Sequence, residues 1–324
     1  MVVSADIDGL VSAAMLGSVA PNWEIVAFVV ESTKIILHPS VVSGMPTDLV
    51  AVDLFSLRHD SLSNHVVKYG NKQIRLRGLR SAFSIWDGMV DAGASKHLYA
   101  LPSVWAGTQG CYEDAYKPTS SKYKYPLGTA QILLAMLEAA GHAPKFFDRH
   151  YLPWLVANCD GGVSTYTKYG FNARIWWATM AGAVGPASLT EQVFRLVDTM
   201  RPHDFLDTVN ALDRERQASG VQPWLNDDWN LAGADRGTLE RALTWIHELT
   251  GWRDPVRGGI SQLASWVEVP ASGSGIVYVA GSNVVKPATE KAAIGSVMAA
   301  NNAINANFYH GGFSGSRFNW VGGW

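Results

Sequence analysis

Cysteine is almost missing from this chain: Cys111 and Cys159 are the two found in 324 residues. Two cysteines so placed build neither a disulfide framework nor a zinc-ligand spacing, and a reduced, intracellular setting is the default expectation. No apolar run reaches membrane length, and no basic segment precedes a long hydrophobic one near the start. A soluble, cytoplasmic protein with no membrane partner is therefore expected. Charge of one sign is also lacking. The formal net charge of −2 offers no overall basic footprint of the kind that a protein living on duplex DNA carries. No internal repeat of fixed period is visible.

Apolar residues make up 48% of the sequence, which excludes disorder of the whole chain and predicts a large buried core. Thirteen tryptophans add rings suited to a thick, well-packed interior. The length exceeds the usual size of one hydrophobic core, so two domains are expected. The first half alternates. An opening strand (Val2, Val3) turns through Gly9 into a helix of small and apolar residues. Strands are predicted over 24–30, 34–37, 48–53, 64–68 and 73–77, and a long polar and aromatic loop over about 105–125. Helices are predicted over about 127–140, begun by Pro126 and ended by Gly141, and over about 146–159. Such alternation implies a doubly wound parallel sheet. From about 171 to 250 the periodicity is mostly helical, with runs at 172–180, 189–200, 204–217 and 237–249. A strand over 275–280, a helix over 287–304 and a glycine-rich tail with an edge strand over 307–324 follow. The expected fold is α/β: a parallel-sheet N-terminal domain (1–185), a helical connector (186–255) and a smaller α/β C-terminal domain (256–324).

The chemistry gathers at segment ends. Asp6 and Asp8 sit two residues apart on the turn after the first strand, and Asp53 ends a later one. In a parallel sheet both places face the crevice at the carboxyl ends of the strands, where ligands collect. Asp160 closes a mainly apolar run ahead of two glycines, and His65 follows Asp53 by about a dozen residues. Four aspartates and a histidine make an oxygen-rich set suited to Mg²⁺ or Mn²⁺ rather than zinc. The bland reading of Asp6 and Asp8 is a polar turn whose carboxylates cap the next helix. Lys72, Arg75, Arg77 and Arg80, and Lys117, Lys122 and Lys124 among Tyr112, Tyr116, Tyr123 and Tyr125, could screen phosphates and stack bases. An ordinary solvated loop would look the same.

The stretch Ser4-Ala5-Asp6-Ile7-Asp8-Gly9-Leu10-Val11-Ser12-Ala13-Ala14 resembles the first motif of the DHH phosphoesterase superfamily, which includes RecJ-type exonucleases and nano-RNases. Asp53 matches the second motif, Ser63-Asn64-His65 stands where the Asp-His-His triplet would, and Asp160 matches the fourth. The run from Tyr125 to Ala130 is similar to the Thr-Ala helix start that follows the triplet. Gly311-Gly312-Phe313-Ser314-Gly315-Ser316-Arg317 is similar to the glycine-rich substrate motif of the smaller C-terminal domain. The resemblance implies that Asp6, Asp8, Asp53 and Asp160 hold Mn²⁺ or Mg²⁺, with Asp53 bridging. It implies that His65 touches the scissile phosphate, and that Gly311, Gly312, Ser314, Ser316 and Arg317 hold the substrate. A metal-bound water would attack phosphorus, with Asp53 and His65 as catalytic residues. The substrate would be single-stranded nucleic acid, a short oligonucleotide or a nucleotide, and a homodimer is left open.

The sequence departs from that pattern at three places. Ser4 replaces the ligating histidine of the first motif, and Ser63 and Asn64 replace the first two residues of the triplet. Nearby His59 and Asp60 are candidate substitutes. A second expectation is a catalytically silent relative that binds nucleic acid or a protein through the same cleft. A third is a haloacid-dehalogenase-type phosphatase, since Asp-x-Asp-Gly also opens that fold; it would make Asp6 a covalent nucleophile.

Overall fold

The computed structural model describes residues 1–30, 34–54, 56, 58–64, 128–145, 159, 177–178, 180–199, 234–278, 307–311 and 317–324. Its first half centres on a six-stranded sheet. Strands β1 (Val2–Ser4), β2 (Ala27–Val30), β3 (Lys34–Leu37), β4 (Val50–Val52), β5 (Asp60–Leu62) and β6 (Val267–Pro270) lie in the order β5-β4-β1-β2-β3-β6. The pairs β1–β2, β1–β4 and β4–β5 are parallel, whereas β2–β3 and β3–β6 are antiparallel. The sheet is therefore mixed and mostly parallel, not wholly parallel as the alternation suggested. The cause is length: β2 and β3 are separated by residues 31–33 alone, which suffices for a hairpin but not for a crossover.

Helix α1 (Ile7–Val19) returns the chain from β1 to β2, and β4 lies on the other side of β1. The strand order thus reverses between β1 and β4, and the carboxyl ends of these two strands flank the crevice. Every residue of α1 from Ile7 to Gly17 is buried. That follows from its composition, apolar and small all round, as in helices packed on several sides. α1 packs against α2 (Thr129–Ala139) and α4 (Arg236–Thr250), while α3 (Leu189–Thr199) packs against α2. Two glycines make these approaches feasible. A Cβ on Gly9 would meet the Ser4 carbonyl oxygen at 2.3 Å, and one on Gly17 would meet Pro255 Cβ at 2.6 Å.

Side chains alternate across the sheet. Val2, Ala27, Val29, Ile35, Leu37 and Ala51 share one core cluster with Phe308 and Val321 from the end of the chain. A second sheet holds those two residues, with β7 (Ser274–Tyr278), β9 (Arg317–Val321) and β8 (Phe308–Gly311) in that order. β9 is its central strand, paired on both sides, rather than the edge strand expected of the tail. β6, also from the segment read as C-terminal, pairs with β3 from Lys34↔Pro270 to Leu37↔Val267 and so extends the first sheet.

The predicted strand over 34–37 and the predicted helices over 127–140, 189–200 and 237–249 coincide with observed elements to within two residues, and β4 lies within the strand predicted over 48–53. β5 lies at Asp60–Leu62, ahead of the strand predicted over 64–68, which lies outside the described residues except for Asn64 in a turn. The expected elements over 73–77, 105–125, 204–217 and 287–304 lie outside the described residues, and the expected helix over 146–159 does so except for Cys159, which lies in a bend. Among the described residues no helix is long and apolar enough to cross a membrane.

Candidate functional site

Four stretches far apart in the chain meet at the carboxyl edge of the sheet, around Thr129. Asp8 is 1% exposed, and its carboxylate accepts from the backbone N–H groups of Thr129 (2.8 Å, to Oδ2) and Ala130 (2.7 Å, to Oδ1). These are the first two residues of α2, whose N–H groups have no partner within the helix. The Thr129 hydroxyl donates to Asp53 Oδ1 at 2.5 Å and accepts from the Asn64 N–H at 3.0 Å. Gly128 N–H is met by Gln131 Oε1 at 2.7 Å, which completes the entry to α2. Asp8 is also the second residue of α1. The positive ends of two helix dipoles therefore fall on one buried carboxylate.

Asp53 follows β4 directly and is 3% exposed. Its φ of 55° puts it in the left-handed region, where a non-glycine residue is uncommon though aspartate tolerates it better than most. Its N–H bonds the Leu62 carbonyl at 2.8 Å, so β4 and β5 leave the sheet side by side. Ser63 and Asn64 thereby emerge beside Asp53, both buried.

Asp6 behaves differently. It is the N-cap of α1: Oδ1 accepts from Gly9 N–H at 2.8 Å and Oδ2 from the Ser4 hydroxyl. The capping reading of Asp6 is thus an observed role. Ser4, in the place of the expected histidine, donates to this carboxylate. For Asp8 the capping reading also describes a real contact, but the helix capped is α2, whose first residue is 121 positions away.

His59 and Asp60 cannot stand in for the missing triplet residues. The register pairs Asp60 with Val50 at the start of β4, whereas Asp53 follows its end. His59 stacks on Phe308, ring centroids 5.7 Å apart, and its Nε2 lies 3.4 Å from Asn307 Oδ1. Both residues belong to the opposite edge. Of the remaining expected site residues, Gly311 ends β8 opposite Phe318, and Arg317 opens β9 opposite Tyr278. His65, Asp160, Gly312, Ser314 and Ser316 lie outside the described residues, as do the basic and aromatic stretches at 72–80 and 112–125.

In kind, the donors at this edge suit a hard divalent cation, since a carboxylate oxygen that accepts one hydrogen bond keeps a further lone pair. In number they stop short: among the described residues no three His, Cys, Asp or Glu side chains are grouped to hold a metal ion. Thr129 is the residue the sequence left unassigned to the site. Its signal was the Gly128-Thr129 step opening an apolar helix, a place where a hydroxyl is ordinarily a local cap.

No protein-family model matches this chain, and neither a curated protein nor a solved structure matches it significantly.

Proposed function

We propose that this chain is a phosphoesterase of the DHH type, acting with Mn²⁺ or Mg²⁺ on single-stranded nucleic acid, short oligonucleotides or nucleotides. The observation that carries the reading is the meeting at Thr129 of Asp8, Asp53 and Asn64. They come from the three segments that resemble the first three motifs of that superfamily, and Thr129 itself opens the helix that resembles the Thr-Ala start. Two further features support a working site over a purely structural one. The site lies where the strand order reverses, and Asp53 is held in a strained backbone conformation of the kind that persists where surroundings enforce it.

On this reading Asp53 is the central acidic residue, and Asp6, Asp8 and Asp160 are the other candidate ligands. A bound Mg²⁺ or Mn²⁺ would polarise a phosphoryl oxygen and make a bound water acidic enough to attack. The chain's own contribution is orientation: the Thr129 hydroxyl fixes Asp53, and the first turns of α1 and α2 bring positive dipole ends to the crevice. His65 and Arg317 are the candidates to offset charge growing on the phosphate. Gly311, Gly312, Ser314 and Ser316 are the candidates to hold the rest of the substrate.

The test is incubation of the protein with labelled single strands, dinucleotides and pyrophosphate, with and without Mn²⁺, beside the Asp53→Asn variant. Hydrolysis that needs Mn²⁺ and disappears in the variant is the expected result. Unchanged Mn²⁺-dependent hydrolysis in Asp53→Asn would falsify the assignment. A second reading, a silent relative that binds nucleic acid through the same cleft, is favoured by one observation. The side chain at the first replaced ligand position, Ser4, is spent on an internal bond to Asp6. Strand binding with neither Mn²⁺ uptake by calorimetry nor turnover would select it.

A further inference from the structure

Asp8 is one of the four aspartates that the resemblance assigns to the cation, yet its surroundings give it other work. We propose that Asp8 is a positioning residue and not a cation ligand: it fastens the first turn of α2 so that the Thr129 hydroxyl meets Asp53. The reaction that Asp53 serves is taken from the phosphoesterase reading; the fastening itself does not depend on it.

The donors decide the matter. The Ser4 hydroxyl can rotate away from Asp6 to free an oxygen, whereas the Thr129 and Ala130 amides are fixed by the helix they begin. The Thr129 and Ala130 amides take one lone pair from each Asp8 oxygen, and turning the carboxylate to offer an ion more than what is left would strand two buried N–H groups or drag α2 with it. The charge of Asp8 also has its counterweight already, in the N-terminal ends of α1 and α2. The link to Asp53 follows from hydrogen bookkeeping at one hydroxyl. Thr129 Oγ1 has a single proton and accepts the Asn64 N–H, so that proton is the one given to Asp53 Oδ1. Where Asp8 holds the Thr129 backbone, the hydroxyl must follow.

The two roles predict opposite signs in the absence of metal. A carboxylate kept for a cation repels its acidic neighbours once the cation is stripped, so its amide variant melts at or above wild type in chelator. A fastening carboxylate, replaced by an amide that presents N–H to N–H, lowers the transition. Asp8→Asn is expected to melt about 5 °C below wild type in EDTA. Failure of the variant to fold in EDTA counts the same way, since no ion is there to be lost. By calorimetry Asp8→Asn binds as many Mn²⁺ per chain as wild type, while Asp53→Asn binds fewer. In turnover, Asp8→Asn and Thr129→Val each lower kcat with KM held, Thr129→Ser restores it, and the double variant loses no more than the larger single one.

Asp8→Asn melting at or above wild type in EDTA, binding fewer Mn²⁺, or losing kcat additively with Thr129→Val overturns the proposal. A wild type that neither binds Mn²⁺ nor hydrolyses anything defeats the phosphoesterase reading instead, and the melting comparison in EDTA still decides the fastening.

Discussion

Asp53 combines three things that stability alone would not choose together: a charge, near-complete burial and a left-handed backbone. Asparagine tolerates that backbone as well as aspartate does and carries no charge to repel Asp8. Asp53→Asn is therefore expected to melt no lower than wild type in chelator while abolishing Mn²⁺-dependent hydrolysis, a pairing checked by calorimetry and a turnover assay on one preparation. A marked fall in melting temperature would make Asp53 a structural residue. Gly9 makes the opposite case, a position fixed by space rather than chemistry. The Ser4 carbonyl leaves no room for a Cβ, so Gly9→Ala is expected to cost about 2 kcal/mol or more, measured by denaturant unfolding. The same crowding explains why a glycine follows Asp8 whether or not the turn binds anything.

Helix termini show what the sequence could and could not disclose. Asp235 caps α4 locally: it stands just before the helix, and its carboxylate takes both the N–H and the hydroxyl of Thr238, at 2.7 and 2.8 Å. Those bonds, the backbone one first, hold its pKa below the ordinary 3.8. A depressed folded-state pKa means stabilisation that is full above 3.8 and is lost as pH falls through the folded value. Asp235→Ala should thus lower stability by about 1 kcal/mol at neutral pH, and the gap from wild type should close in strong acid. Denaturant curves at the two extremes test it; a gap that survives acidification would assign the loss to something other than the carboxylate. The caps of α2 and α3 were not legible. Asp8 reaches α2 from across the fold, and Glu138, near the end of α2, meets the N–H groups of Leu189 and Thr190 at 2.6 and 2.8 Å at the start of α3. Local patterns report a donor and acceptor three residues apart, not ones separated by 51 or 121. The same limit hid Thr129 from the site while its helix was read nearly to the residue. β5 was not legible either, because its Asp60–Leu62 core is too short and too polar to give a period.

At the scale of the whole molecule, the segments read as separate domains share one interior in the described residues. Phe308 is fully buried in the same cluster as Val2, Val26 and Leu49, and it stacks on His59. Trp324 Nε1 donates to the Val41 carbonyl at 2.8 Å, a second tie, between the tail and the helical turn that follows β3. β6 adds a continuous row of backbone bonds to β3. The second sheet thus packs on one face of the first, in a cluster that reaches Leu54, the residue after Asp53. Truncating a buried aromatic of this kind costs about 3–5 kcal/mol. If the two sheets were independent, Phe308→Ala would split the thermal transition or leave the first sheet's melting untouched. Because Phe308 packs on residues of β1, β2 and β4 within one cluster, a single transition should persist and move down as a whole. Far-ultraviolet dichroism and tryptophan fluorescence, followed together, should give coincident curves for wild type and variant alike. Separate midpoints for the two probes would show that the sheets fold apart, and that the edge carrying the site owes nothing to the strands at the chain's end.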